Sequence, residues 1–191
     1  MPKTLRVLLI LTAMLILAGC IVQSVDRFYT EASVCAIPSI TGEWRLLDDK
    51  GLPGSGKAWI FQGDKVVTYE KNNTQANVKT IYFKLGDTFF MDSTADEPAE
   101  GANHWWTMHV FPVHVVSKIE IQDNRMTLTP VDYRWLEKAI RDRVVTLPHI
   151  RPKEGDSMLF TASPEEWSGF LKKYAVDSNV FSGENAIRFI R

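Results

Sequence analysis

Lys118-Ile119-Glu120-Ile121-Gln122-Asp123-Asn124-Arg125-Met126-Thr127-Leu128-Thr129 is the stretch whose reading decides the fold. Apolar and polar side chains alternate on both sides of Asp123-Asn124, a pair suited to a tight hairpin turn. A two-residue loop sets Ile121 against Met126 and Ile119 against Leu128, so all four share one face. Lys118, Glu120, Gln122, Arg125, Thr127 and Thr129 take the other. A one-residue slip would reverse every side chain, so a register that satisfies both faces specifies a half-buried strand pair.

The same period of two extends upstream to Gly42. Trp59-Ile60-Phe61-Gln62 and Lys65-Val66-Val67-Thr68-Tyr69 flank Gly63-Asp64, which predicts Phe61 opposite Val66 and Trp59 opposite Thr68. Thr80-Ile81-Tyr82-Phe83-Lys84 and Thr88-Phe89-Phe90-Met91-Asp92 flank Leu85-Gly86-Asp87. Read as a three-residue loop, that turn sets Phe83 opposite Phe89 and Ile81 opposite Met91. Successive hairpins with one apolar face make a meander, and a meander hides its edges by curling into a barrel.

Downstream the period changes. Asp132 caps a helix predicted over Tyr133–Asp142, with Leu136, Ala139 and Ile140 on one stripe. Ser163-Pro164-Glu165-Glu166 joins an N-cap serine, a proline at the first helical position and a glutamate three residues after the cap. The helix it opens carries Trp167, Phe170, Leu171 and Tyr174 on one side, with Glu165, Glu166, Lys172 and Lys173 towards water. Pro148 to Asp156 reads as a loop, Ser157–Thr161 as a short strand and Ala186–Ile190 as a closing strand. The expected fold is therefore mainly β, an antiparallel meander forming a barrel with two C-terminal helices packed on it.

The chain start follows a different logic. Lys3 and Arg6 precede an apolar run from Val7 to Ala18, broken by Thr12. Twelve helical residues span ~18 Å, short of a ~30 Å hydrocarbon core, so the run fits a signal peptide better than a membrane span. It ends in Leu17-Ala18-Gly19-Cys20, which resembles the lipobox of bacterial lipoproteins. The resemblance implies cleavage between Gly19 and Cys20, a diacylglycerol on the Cys20 thiol and acylation (typically palmitate) of the new amino terminus. Several acyl chains anchor durably where one is marginal. Ile21, rather than Asp, after the cysteine implies the periplasmic face of the outer membrane in a Gram-negative cell. The chain then divides into a signal peptide over 1–19, a lipidated tether over 20–41 and a domain over 42–191. In the tether, Phe28 and Tyr29 either dock on the domain or touch lipid headgroups.

The domain opens with Thr41-Gly42-Glu43-Trp44-Arg45, which resembles the Gly-x-Trp start of lipocalin-like barrels. In such barrels a basic side chain near the end packs over the tryptophan, and Arg188 is the candidate here. Two helices with an intervening strand depart from the simple lipocalin pattern. Trp44, Trp59, Phe83, Trp105 and Phe111 are the expected barrel lining, as core or as the wall of a ligand cavity.

Composition excludes several alternatives. The 191 residues carry 22 basic and 23 acidic side chains, which leaves no nucleic-acid footprint. Losing Lys3 and Arg6 with the signal peptide leaves 20 basic groups against 23 acidic, so the anchor is acyl, not electrostatic. With Cys20 lipidated, Cys35 has no partner in the chain and is a free or intermolecular thiol. Gly51-Leu52-Pro53-Gly54-Ser55-Gly56-Lys57-Ala58 misses a phosphate-binding loop at Ala58 and leads into a strand where that loop needs a helix. His104, His109 and His114 are spaced by five, which alternates faces along a strand and parts the outer two by ~33 Å. No common metal site follows. Asp92, Asp96, Glu97 and Glu100 lack the calcium-loop spacing and read as a solvated acidic loop. No nucleophile-and-base signature or cofactor motif is present. The sequence thus points to a non-enzymatic envelope lipoprotein, with a small apolar ligand in its barrel or another envelope protein as its docking partner.

Overall fold

The computed structural model describes residues 21–56, 58–69, 75–96, 112–151 and 157–191. Each tight hairpin is set by one residue of positive φ opening the turn: Gly63 at 48°, Gly86 at 61° and Asp123 at 53°. That geometry matches the twist of the flanking strands and closes two-residue loops. A minor strand, β1 (Gln23–Ser24), precedes the barrel. The barrel strands are β2 (Gly42–Leu46), β3 (Trp59–Gln62), β4 (Lys65–Tyr69), β5 (Gln75–Leu85), β6 (Thr88–Ala95), β7 (Val115–Gln122) and β8 (Arg125–Pro130). The chain then builds helix α1 (Tyr133–Arg141), β9 (His149–Ile150), β10 (Leu159–Phe160) and helix α2 (Pro164–Tyr174) before β11 (Ile187–Ile190). Strand β11 pairs with both β8 and β2, and the eight antiparallel strands close in the order β11-β2-β3-β4-β5-β6-β7-β8. The expected barrel with two helices on it is the fold.

Register agrees with the alternation in two hairpins and departs in one. Ile119 faces Leu128 and Ile121 faces Met126 in β7–β8. Phe61 faces Val66 in β3–β4, while the Trp59 indole donates to the Tyr69 carbonyl at 3.2 Å. In β5–β6, however, Phe83 faces Phe90, Tyr82 faces Met91 and Ile81 faces Asp92. Leu85 pairs with Thr88, so the turn is Gly86-Asp87 alone, one residue shorter than predicted. Glycine at positive φ permits the tighter loop. Tyr82 and Met91 therefore point into the barrel, while Phe83 and Phe90 stack on its outer side, 5.4 Å between centroids.

Both helices are capped as their sequences require. The Asp132 side chain accepts from Trp135 N at 2.9 Å, and Asp142, expected inside the helix, is its C-cap. Ser163 and Glu166 form the reciprocal capping box. The helices bury Leu136, Trp167, Phe170 and Leu171 against the exterior of β5–β7, together with Phe83, Phe90 and Val116. This covers part of the face that alternation assigns to water. Thr129 is buried there, and Lys118 Nζ lies over the Phe181 ring at 5.5 Å.

Residues 21–41 are part of this packing rather than a free tether. Strand β1 runs parallel to β10, which pairs with β9 to make a separate three-stranded sheet. Val22 and Phe28 are buried among the helices, and Ile37 and Ile40 enter the barrel core. Phe28 docks against Trp167 with the rings tilted by 45° and 4.4 Å between centroids.

Candidate functional site

The barrel interior is the first place to look. Trp44, Phe61, Val66, Tyr82, Met91, Ile119, Met126, Leu128 and Phe189 are buried in it and pack as one cluster with Ile37 and Ile40. The turn-bearing end is sealed from below. A 3-10 turn, Pro38–Ile40, runs into β2, and the fully buried Trp44 donates its Nε1 to the Ile40 carbonyl at 2.7 Å. Arg191 covers the indole with its guanidinium carbon 4.1 Å from the centroid and donates to the Ser39 carbonyl. Arg188, the expected partner, instead donates to the Gly183 carbonyl at 3.0 Å on the outside. Along a strand, three residues reverse the side, so only Arg191, which follows β11, reaches round the barrel end.

Trp44 is thus core and Trp59 is half-buried lining, its ring edge-on to Phe189 at 5.2 Å. Phe83 is not lining: the shortened turn places it outside, under the helices. Gly19, Cys20, Trp105 and Phe111 lie outside the described residues, as do His104, His109, Glu97 and Glu100.

A second constellation joins the chain start to the barrel. Asp92, assigned above to a solvated acidic loop, lies in β6 and is 2% exposed. One carboxylate oxygen accepts the Phe28 N–H at 2.8 Å; the other is 2.7 Å from His114 Nδ1. Ser24 and His114 exchange backbone hydrogen bonds of 3.0 and 2.8 Å, and the Trp167 indole donates to Ser24 Oγ at 3.0 Å. Both Asp92 oxygens are committed to fixing residues 24–28, a structural use of a carboxylate and imidazole. Sequence spacing carried no signal of it, because Phe28, Asp92 and His114 meet only through the closed sheet.

Surface grooves also lie among the described residues. One, of about 310 Å³, runs beside Cys35 between residues 34–38 and the Gly63-Asp64 turn and is mainly apolar. Partial burial raises the Cys35 thiol pKa above its ordinary value, with Lys84 opposing, so the thiolate is disfavoured. Another, about 410 Å³, lies outside β2–β4 between Glu43, Arg45, Ser55, Ile60 and Tyr69. There the glycine-rich stretch folds back, Gly54 N donating to the Leu46 carbonyl at 2.8 Å, before the chain enters β3. Among the described residues no three His, Cys, Asp or Glu side chains cluster as metal ligands. No described helix is long and apolar enough to cross a membrane.

No family model, curated protein or solved structure matches the chain.

Proposed function

We propose that this protein is a non-enzymatic lipoprotein of the bacterial envelope, acylated at Cys20 and held at the periplasmic face of the outer membrane. There its lipocalin-like barrel serves as a rigid module that docks on another envelope protein. The observation that carries this reading is the cluster of large side chains in the barrel, Trp44, Phe61, Met126, Leu128 and Phe189, because an eight-stranded barrel is narrow enough to be occupied by its own side chains. The commitment of Asp92 and His114 to holding the chain start supports a role without catalysis. A second reading rests on Leu46 and Trp59, which are only partly buried near the loop-bearing end and offer an apolar seat for a small ligand.

Native mass spectrometry of the protein purified from its host separates the two. An unliganded mass supports the docking module; a reproducible lipid-sized addition overturns it in favour of the ligand carrier. Anchoring is tested by Cys20→Ser, which releases the protein from membranes if Cys20 bears the anchor. A variant that still matures and remains membrane-bound removes the lipoprotein reading.

A further inference from the structure

Ile21 forms a bridge with Asp132, and Val22 beside it is 1% exposed. Gln23–Ser24 pair at once with Leu159–Phe160. Consecutive Cα atoms stand about 3.8 Å apart, so a group carried by Cys20 is one peptide away from a fixed point of the domain. No length of slack chain separates the anchor from the fold.

The surroundings of that point follow from the hydrogen bonds. Asp132 caps α1, donates its N–H to the Val180 carbonyl at 2.8 Å and accepts from Ser182 Oγ at 2.9 Å. Trp135 in the first turn of α1 meets Tyr174, the last residue of α2, edge-on at 5.2 Å. Val176, two residues further, is 90% exposed, and Ile21 is 51% exposed. Basic groups flank the aromatics: Arg134 is exposed, and Lys173 Nζ lies 4.9 Å from the Tyr174 centroid. The Asp123-Asn124 turn is at the other end of β8, eight residues and about 26 Å from Asp132 at ~3.3 Å per residue.

We propose that this end of the domain, formed by Ile21, Val176 and the Trp135–Tyr174 pair, rests directly on the lipid bilayer. The inference rests on the reading of Cys20 as acylated and adds what that reading lacks, the orientation of the domain. Acyl chains buried in the bilayer draw the attached face onto the headgroups when no linker intervenes. Exposed valine and isoleucine beside half-buried tryptophan and tyrosine suit the interface between apolar and aqueous phases. Arg134 and Lys173 face anionic headgroups there.

The test uses the full-length acylated protein in vesicles of phosphatidylethanolamine and phosphatidylglycerol. A fluorophore is attached at Val176→Cys or at Asn124→Cys in a Cys35→Ala background, and a quencher is carried on the lipid. Seating predicts quenching severalfold stronger at position 176 than at 124. Inserting ten glycine and serine residues between Cys20 and Ile21 lowers it to the level seen at 124. An acylated protein whose two labels are quenched alike overturns the seating and leaves the anchor intact. An intact mass that shows unmodified Cys20 overturns the anchor, and the seating with it.

Discussion

The two hydrophobic cores of this molecule lie back to back across β5–β7 and were built by different rules. The inner core takes alternate side chains from a closed sheet, so each strand contributes by position alone. The outer core takes the opposite faces of β5–β7 and joins them to α1, α2 and residues 22–28, which arrive from distant parts of the chain. An eight-stranded barrel needs only the first. The second makes the chain start and the segment between β8 and β11 one unit with the barrel. It also ties the first described residue, Ile21, to Asp132 at the cap of α1.

The comparison is tested hardest by removing the largest side chain from each core. Trp44→Ala and Trp167→Ala each cost about 3–5 kcal/mol, the range for truncating a buried aromatic. In addition, Trp44 loses its bond to the Ile40 carbonyl and Trp167 its bond to Ser24 Oγ. Denaturant unfolding measures the losses. Hydrogen exchange separates them: Trp44→Ala exposes barrel amides, whereas Trp167→Ala exposes residues 21–28 first. If both variants release the same amides together, the two cores form one cooperative unit and the distinction fails.

Asp92→Ala acts at the seam. It leaves the Phe28 N–H buried without an acceptor, which costs about 1–3 kcal/mol. Residues 24–28 should lose exchange protection while β7–β8 retains it. Unchanged protection at Phe28 would mean that ring packing on Trp167 and the backbone bonds of Ser24 and Val25 hold the segment without the carboxylate.

How much of this was legible follows the same division. The inner core could be read because alternation needs only neighbouring residues: Ile119, Met126 and Leu128 lie where the pattern put them. The helix caps at Asp132 and Ser163 were legible for the same reason. Phe83 was misplaced because apolar residues run through both faces of β5 and β6, so neither face identifies itself. The turn at Gly86 then decides the register by one residue. The docking of residues 21–41 and the Asp92–His114 contact were not legible, since they depend on contacts between residues far apart in sequence.

Arg191 and Arg188 give a narrower contrast at the barrel end. Arg191→Ala removes the cation over Trp44 and the bond to Ser39, a loss of about 0.5–1 kcal/mol for an exposed cation–π pair. Arg188→Ala removes one exposed bond to Gly183 and should change stability less. Thermal unfolding of the two variants side by side checks the order, and the reverse order would return the covering role to Arg188.

The smallest effect belongs to the barrel exterior around Asp96. Lys65 and Lys79 are directly paired across β4–β5, an arrangement that like charges disfavour. Asp96 lies between them, 3.2 Å from Lys65 Nζ and 3.1 Å from Lys79 Nζ. These lysines hold its carboxyl below the ordinary range, the hydrogen bond from Lys79 first and that from Lys65 next. A carboxylate with a depressed folded-state pKa stabilises above its unfolded pKa, and the contribution disappears as pH falls through the folded value. The stability difference between the protein and Asp96→Asn should therefore be constant at neutral pH and shrink only under acid conditions below the usual carboxylate range. High salt should shrink it too, because the three charges are close to solvent. A difference that ignores both acid and salt would show that the Asp96 side chain does not act as a charge between the two lysines.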